Sequence, residues 1–176
     1  VYLITGGLGG IGALFAADIL SQASRARVAL AGRAADGEDT QARLDEIAPD
    51  PRLRARLHYL QLDLADRNAA VHAVADIASV YGGLNGVLHC AGMVCDKLLA
   101  RKDEAEFRSV LAPKVAGTIN LDLACADLPL DFFVLFSSGA SVLGNAGQGD
   151  YAAANGFLDA FAARRNQLAE QGQRQG

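Results

Sequence analysis

A phenol, two hydroxyls and an isolated lysine stand at spacings that suit proton transfer. Tyr151 lies in "GQGDYAAANG", a glycine-rich loop running into a helix, and Asn155 follows four residues later on the same helix face. Ser137 and Ser138 close the strand-like run "DFFVLFSS", with Tyr151 thirteen residues after Ser138. A free phenol has a pKa near ~10 and is a weak acid at neutral pH, and a neighbouring ammonium lowers that value. Lysine four residues after tyrosine would supply the charge and mark a tyrosine-based reductase, but Asn155 is neutral. Either Tyr151 is an ordinary helix residue or its cation comes from elsewhere. Lys114, in "VLAPKVAGT", is the candidate, because the adjoining Pro113 should kink or restart its helix and turn the lysine toward the sheet edge.

The elements that must position these groups follow from periodicity. Apolar runs of strand length, "VYLIT" (1–5), "ARVALAG" (26–32), "ARLHYLQLD" (55–63), "LNGVLHCAG" (84–92) and "DFFVLFSS" (131–138), alternate with helical patterns. Continuous apolar strands separated by helices indicate a parallel sheet covered on both faces. Right-handed crossovers then give an α/β, Rossmann-like doubly wound domain of five strands. A six- or seven-stranded version would lack its last strands. The long helical region from about 103 to 127 is interrupted by Pro113, and "RKDEAEF" within it reads as a solvated face with i,i+4 pairs. The polar end "RRNQLAEQGQRQG" reads as a helix end and a linker, so that the chain resembles a segment cut from something longer.

"TGGLGGIG" (5–12) follows the first strand and opens the first helix. Its glycines permit a tight turn and close backbone approach to a pyrophosphate, and the helix N-terminus presents free N–H groups to the anion. A site for NAD places an acid about 20 residues on, at the ribose. Arg33 stands there instead, and a guanidinium suits a 2′-phosphate, which favours NADPH. Asp63 serves either to accept from an adenine amine or to cap the following helix. The cofactor-facing positions are Thr5, Gly6, Gly7, Gly9, Gly10, Ile11, Gly12, Arg33, Asp63 and Leu64.

The 176 residues carry 51% hydrophobic and 20% charged residues, values of an ordinary globular domain. A net charge of −4 gives no broad attraction to nucleic acid or anionic membrane, so bound phosphate needs a local site. No apolar run approaches the roughly 20 residues that span a bilayer. Cys90, Cys95 and Cys125 lack metal-site spacing and fit a reducing cytosol, hence a cytoplasmic protein; His58, His72 and His89 are scattered, and no metal is expected. His89 reads as a packed strand residue.

With "LHCAGMV", "LAPKVAGTINL" and "FFVLFSSGASVLGNAGQGDYAAANGFLDAF", the chain resembles, over essentially its whole length, the ketoreductase domain of modular polyketide synthases, within the short-chain dehydrogenase/reductases. These ketoreductases exchange the lysine and asparagine of the usual reductase tetrad. The resemblance therefore implies Lys114, Ser138, Tyr151 and Asn155 as the tetrad, and adds Ala91 and Gly92 of "CAG" to the cofactor contacts. It implies residues 1–176 as one NADPH-binding catalytic unit of a larger multidomain chain, without the family's final strands and the lid helix that cover the substrate. The substrate would be a β-ketoacyl group on the phosphopantetheine of an acyl carrier protein, and the partners other polyketide synthase domains. In the family a Leu-Asp-Asp motif marks B-type, D-configured products, and "VCD" (94–96) keeps only Asp96. The A-type tryptophan position holds Leu143, which leans the reading to B-type; alternatively Asp96 caps the next helix. The competing readings are a free-standing or fatty-acid-synthase-type reductase and a non-catalytic structural half.

Overall fold

A computed structural model describes residues 1–176. Five parallel strands, β1 (Tyr2–Thr5), β2 (Val28–Gly32), β3 (Leu57–Gln61), β4 (Gly86–His89) and β5 (Phe132–Leu135), form one sheet in the order β3-β2-β1-β4-β5. The order reverses between β1 and β4, where Tyr2 pairs with both Val28 and Gly86. Such a switch point opens a crevice at the carboxyl ends of the strands.

Strand residues alternate between two cores, which is why the strands are apolar throughout. Leu3, Ala29 and Val87 face one side with Val74 and Ile77 of α4 (Arg67–Tyr81) and Leu121 of α6 (Ala116–Ala124). Ile4, Val28, Leu30 and Leu88 face the other, against Ala16 and Leu20 of α1 (Gly10–Gln22) and Leu44 and Ile47 of α2 (Glu38–Ile47). No helix is long and apolar enough to cross a membrane.

Several expectations change at element ends. Pro113, lacking an N–H, sits in the last turn of α5 (Glu104–Lys114); the helix ends there and α6 starts after Val115. β5 stops at Leu135, so Ser137 and Ser138 lie beyond the strand rather than at its end, because the ladder to β4 closes with Phe136 N–H donating to the His89 carbonyl at 3.2 Å. Two short helices, α3 (Pro51–Arg54) and α7 (Ala140–Leu143), were not foreseen. Asp66, not Asp63, caps α4, and Asp103 with Glu106 forms the capping box of α5, so Asp96 caps nothing.

The polar end is no free linker either. The helix α8 (Gly149–Glu170) carries Arg165, 3% exposed and paired with Asp122 at 2.9 Å. Arg165 also donates to the carbonyls of Gln175 (2.8 Å) and Gly176 (2.5 Å), folding the last residues back.

Candidate active site

The crevice is a cleft of about 360 Å³ at the ends of β1 to β4. Gly6, Leu8 and Gly9 line it from the first loop, and Gly32, Arg33 and Ala34 from β2 and the turn after it. Tyr59, Leu62, Asp63 and Leu64 come from the third strand and its exit, and Cys90, Ala91, Gly92 and Pro113 close the far side. The loop is shaped for close approach. Gly6 has φ +66, and a Cβ there would stand 2.8 Å from the Ala91 backbone. The N-terminus of α1 has Gly9 as its cap, no side-chain cap and no acid in its first turn. Its free N–H groups and positive dipole end are therefore left for an anion.

Of the positions expected to face a cofactor, Gly6, Gly9, Arg33, Asp63, Leu64, Ala91 and Gly92 line the cleft. Thr5, Gly7, Gly10, Ile11 and Gly12 do not. Thr5 is fully buried with its hydroxyl 2.6 Å from His89 Nδ1, and Ile11 is turned to solvent. Arg33 Nη2 stands 3.9 Å from the Met93 sulfur, at the open end of the cleft. Asp63 Oδ1 accepts from the Ala65 N–H at 2.9 Å and keeps its other oxygen. Leu8, Cys90 and Pro113 stand inside the quoted motifs but were not assigned to the cleft, while Ala31, Gly32, Ala34, Tyr59 and Leu62 were missed because they reach it only through the ends of neighbouring strands. The Cys90 thiol is pushed up to about 11 by burial and is no thiolate at neutral pH.

Gly92 joins the cleft to the reactive groups. A Cβ there would meet Lys114 Cε at 2.8 Å, so the glycine is the space through which the lysine passes. Lys114 is 4% exposed, and its Nζ donates to the Phe136 carbonyl at 2.8 Å. Burial holds its pKa below the ordinary lysine value, opposed by the nearby Cys90 and Asp159. Nζ lies 5.8 Å from the centre of the Tyr151 ring. The lysine that the structure brings near the Tyr151 ring is thus one at the end of α5, next to Pro113.

His89 buttresses this arrangement. Its Nε2 is 3.1 Å from the Pro113 carbonyl, which only accepts, so Nε2 carries the hydrogen and Nδ1 accepts from Thr5. Burial, helped by the Lys114 charge, pushes its pKa down to about 4 and keeps the ring neutral.

On α8, Asn155 Nδ2 donates to the Tyr151 carbonyl at 2.7 Å, while its Oδ1 is buried without a partner. Ser138 Oγ accepts from the Ala140 N–H at 3.2 Å, leaving its own hydroxyl hydrogen free to donate. Asp96 accepts from Gln148 Nε2 at 3.0 and 3.2 Å. Leu143 stands on α7 at 86% exposure, away from any packing. Lys102, read as part of a solvated face, is instead buried against Asp150, because an ion pair removes the need for water. The rest of the stretch is largely a solvated face as expected, with Arg101, Asp103, Glu104 and Ala105 exposed and Glu104 paired at i,i+4 with the following Arg108.

The profile of the family described as "KR domain" matches residues 1–173. The chain belongs to the KR domain family. This KR domain is 49% identical over 168 residues to the polyketide synthase PksN of Bacillus subtilis, covering 96% of this chain and 3% of the relative. It is 46% identical to PksL of the same organism, over all of this chain and 4% of that protein. Among solved structures it is similar to a ketoreductase domain from the bacillaene assembly line, with a TM-score of 0.93 and 43% identity, covering 99% of this chain and 41% of that one. A ketoreductase from the macrolactin assembly line follows at TM-score 0.88 and 40% identity, over 99% of this chain and 34% of that one. The KR domain thus spans a small part of its curated relatives and less than half of the solved domains. Its family implies a nicotinamide cofactor and oxidoreductase chemistry.

Proposed function

We propose that this KR domain reduces the β-carbonyl of a β-ketoacyl thioester to a hydroxyl, using NADPH, within a polyketide synthase. The observation that carries the reading is the buried Lys114 ammonium, 5.8 Å from the Tyr151 ring, with Asn155 in the place four after tyrosine. Residues 1–176 act as one catalytic unit.

The residues fit the cofactor. The left-handed Gly6 cradle and the uncapped α1 terminus suit a pyrophosphate, and Arg33 at the open end suits a 2′-phosphate. NADPH, when bound, supplies the hydride for the carbonyl carbon. Tyr151 gives its proton to the carbonyl oxygen as that oxygen gains charge. The free Ser138 hydroxyl donates to the same oxygen. Lys114 keeps two of its three hydrogens after serving Phe136 and stabilises the negative charge left on the phenol oxygen. The buried Asn155 Oδ1 is an acceptor for a hydrogen of Lys114 or of water, which returns a proton to Tyr151.

The product is read as D-configured, B-type, supported by Asp96 and by leucine rather than tryptophan at position 143. The substrate arrives on the phosphopantetheine of an acyl carrier protein, and the setting is cytoplasmic. The test is turnover of a β-ketoacyl thioester with NADPH and with NADH, followed by chiral analysis. Tyr151→Phe is expected to lower the rate about 10²- to 10⁴-fold. Retention of most of the rate would remove Tyr151 from the acid role, and an L-hydroxyl product would refute B-type.

A further inference from the structure

The segment after β4 is fastened to the start of α8 by a buried ion pair. The Lys102 and Asp150 side chains are each 1% exposed. Lys102 Nζ donates to Asp150 Oδ2 and to the Cys95 carbonyl. The other carboxylate oxygen, Oδ1, accepts the backbone N–H of Tyr151 at 2.9 Å. One ammonium therefore joins residue 95 to the helix turn that carries the phenol. Two contacts run parallel to it. The Lys97 N–H donates to the Gly147 carbonyl at 2.9 Å, and Gln148 Nε2 donates to Asp96.

Stability alone does not account for the charges, since well-packed apolar side chains of similar size often serve as well as a buried ion pair. What lysine adds is reach with several directed hydrogens, which here satisfy acceptors from two segments at once.

We propose that Lys102 and Asp150 are positioning residues for the proton donor, setting the Tyr151 hydroxyl relative to the segment that holds Asp96. The inference rests on the reading of Tyr151 as the acid. Neither residue touches the reacting atoms. Both act through the first turn of α8, where a misplacement of about 1 Å is enough to cost on the order of 10²-fold in rate.

The test, in the full-length protein, replaces the pair together, as Lys102→Met with Asp150→Leu, and separately makes Asp150→Asn. Thermal midpoint, kcat, KM and product configuration are measured. The expected result is a folded double variant with kcat lowered about 10- to 100-fold, KM nearly unchanged and a less pure product configuration. Asp150→Asn keeps an acceptor for the Tyr151 N–H and is expected to recover part of kcat. A folded double variant with unaltered kcat and product configuration overturns the proposal, because a purely structural pair would move only the midpoint. Should neither variant fold, hydrogen exchange of the unmodified protein decides. The Lys97 and Tyr151 amides opening as one unit supports the clamp, and independent opening overturns it. Unmodified protein that fails to reduce the thioester refutes the reading of function instead, and the exchange result then stands for the clamp alone.

Discussion

The glycine loop after β1 and the surface around Lys114 meet across Ala91 and Gly92, yet one is made of backbone and the other of buried side chains. The α1 terminus has no cap and no acid in its first turn, whereas α5 begins with a complete capping box. A helix end without its own partners is available to a ligand, and a capped one is committed to the fold. On the side of Lys114 and Tyr151, most supporting groups are committed, although Asn155 Oδ1 and the Ser138 hydroxyl hydrogen stay free. Lys114 is held by Phe136, His89 by Thr5 and Pro113, and the start of α8 by Lys102. The contrast teaches that the glycine loop takes its shape from one short stretch of chain, while the surface around Lys114 needs side chains brought from distant ones.

Substitutions can break this contrast one side at a time. Lys114→Met keeps the length and burial of the side chain but removes its charge. Reduction is expected to fall about 10²- to 10³-fold while cofactor affinity, followed by fluorescence titration, stays close to that of the unmodified protein. Equal losses in both would show that the two sides are not separable.

Gly6→Ala strikes the binding side. A side chain at φ +66 costs about 1–2 kcal/mol, and a Cβ 2.8 Å from the Ala91 backbone adds about 1–3 more. Denaturant unfolding should report the sum, and cofactor titration should show no saturation. Full binding by this variant would mean that the loop opens at little cost.

His89 links acidity to the reactive side. The unfolded chain takes up its proton near pH 6.5 and the folded chain only near 4, because burial disfavours the charged ring. Its contribution is complete above pH 6.5, is lost as pH falls through that window, and levels off below about 4. The difference is about 3 kcal/mol, an upper order of magnitude for one buried group. Thermal midpoints measured from pH 7 to 4.5 should therefore fall less in His89→Gln than in the unmodified protein. Parallel profiles would exclude the histidine as the cause.

The smallest effect sharpens the same comparison. Gly10 has nothing within 4 Å of a built Cβ and opens α1, so Gly10→Ala should change stability by less than about 0.5 kcal/mol. A large loss by the same unfolding assay would mean that the loop is packed more tightly than Gly6 alone explains.

Much of this architecture was legible in the residues. Unbroken apolar runs such as "VALAG" can be buried on both faces only in a parallel sheet, and five of them were counted and found. "TGGLGGIG" told of its turn because only glycine tolerates such backbone approach. Pro113 announced the helix break that brings Lys114 inward, since a missing N–H is a local fact. The polar segments were read correctly in the main and misread at single charges, for the converse reason. "RKDEAEF" and "RRNQLAEQGQRQG" look solvated because charge normally seeks water, and nothing local reveals that Asp150 and Asp122 await Lys102 and Arg165.

The sequence by itself determined what depends on neighbours in the chain: strand and helix periods, the phosphate-type loop, the broken helix and the residue types available for proton transfer. Only the tertiary structure decided how near Lys114 comes to the Tyr151 ring, which hydroxyl is spent on His89, and which charges are hidden. Those outcomes join residues 22 to 84 positions apart. Burial and pairing across such separations are set by the packing of the whole sheet and its helices, which no local pattern encodes.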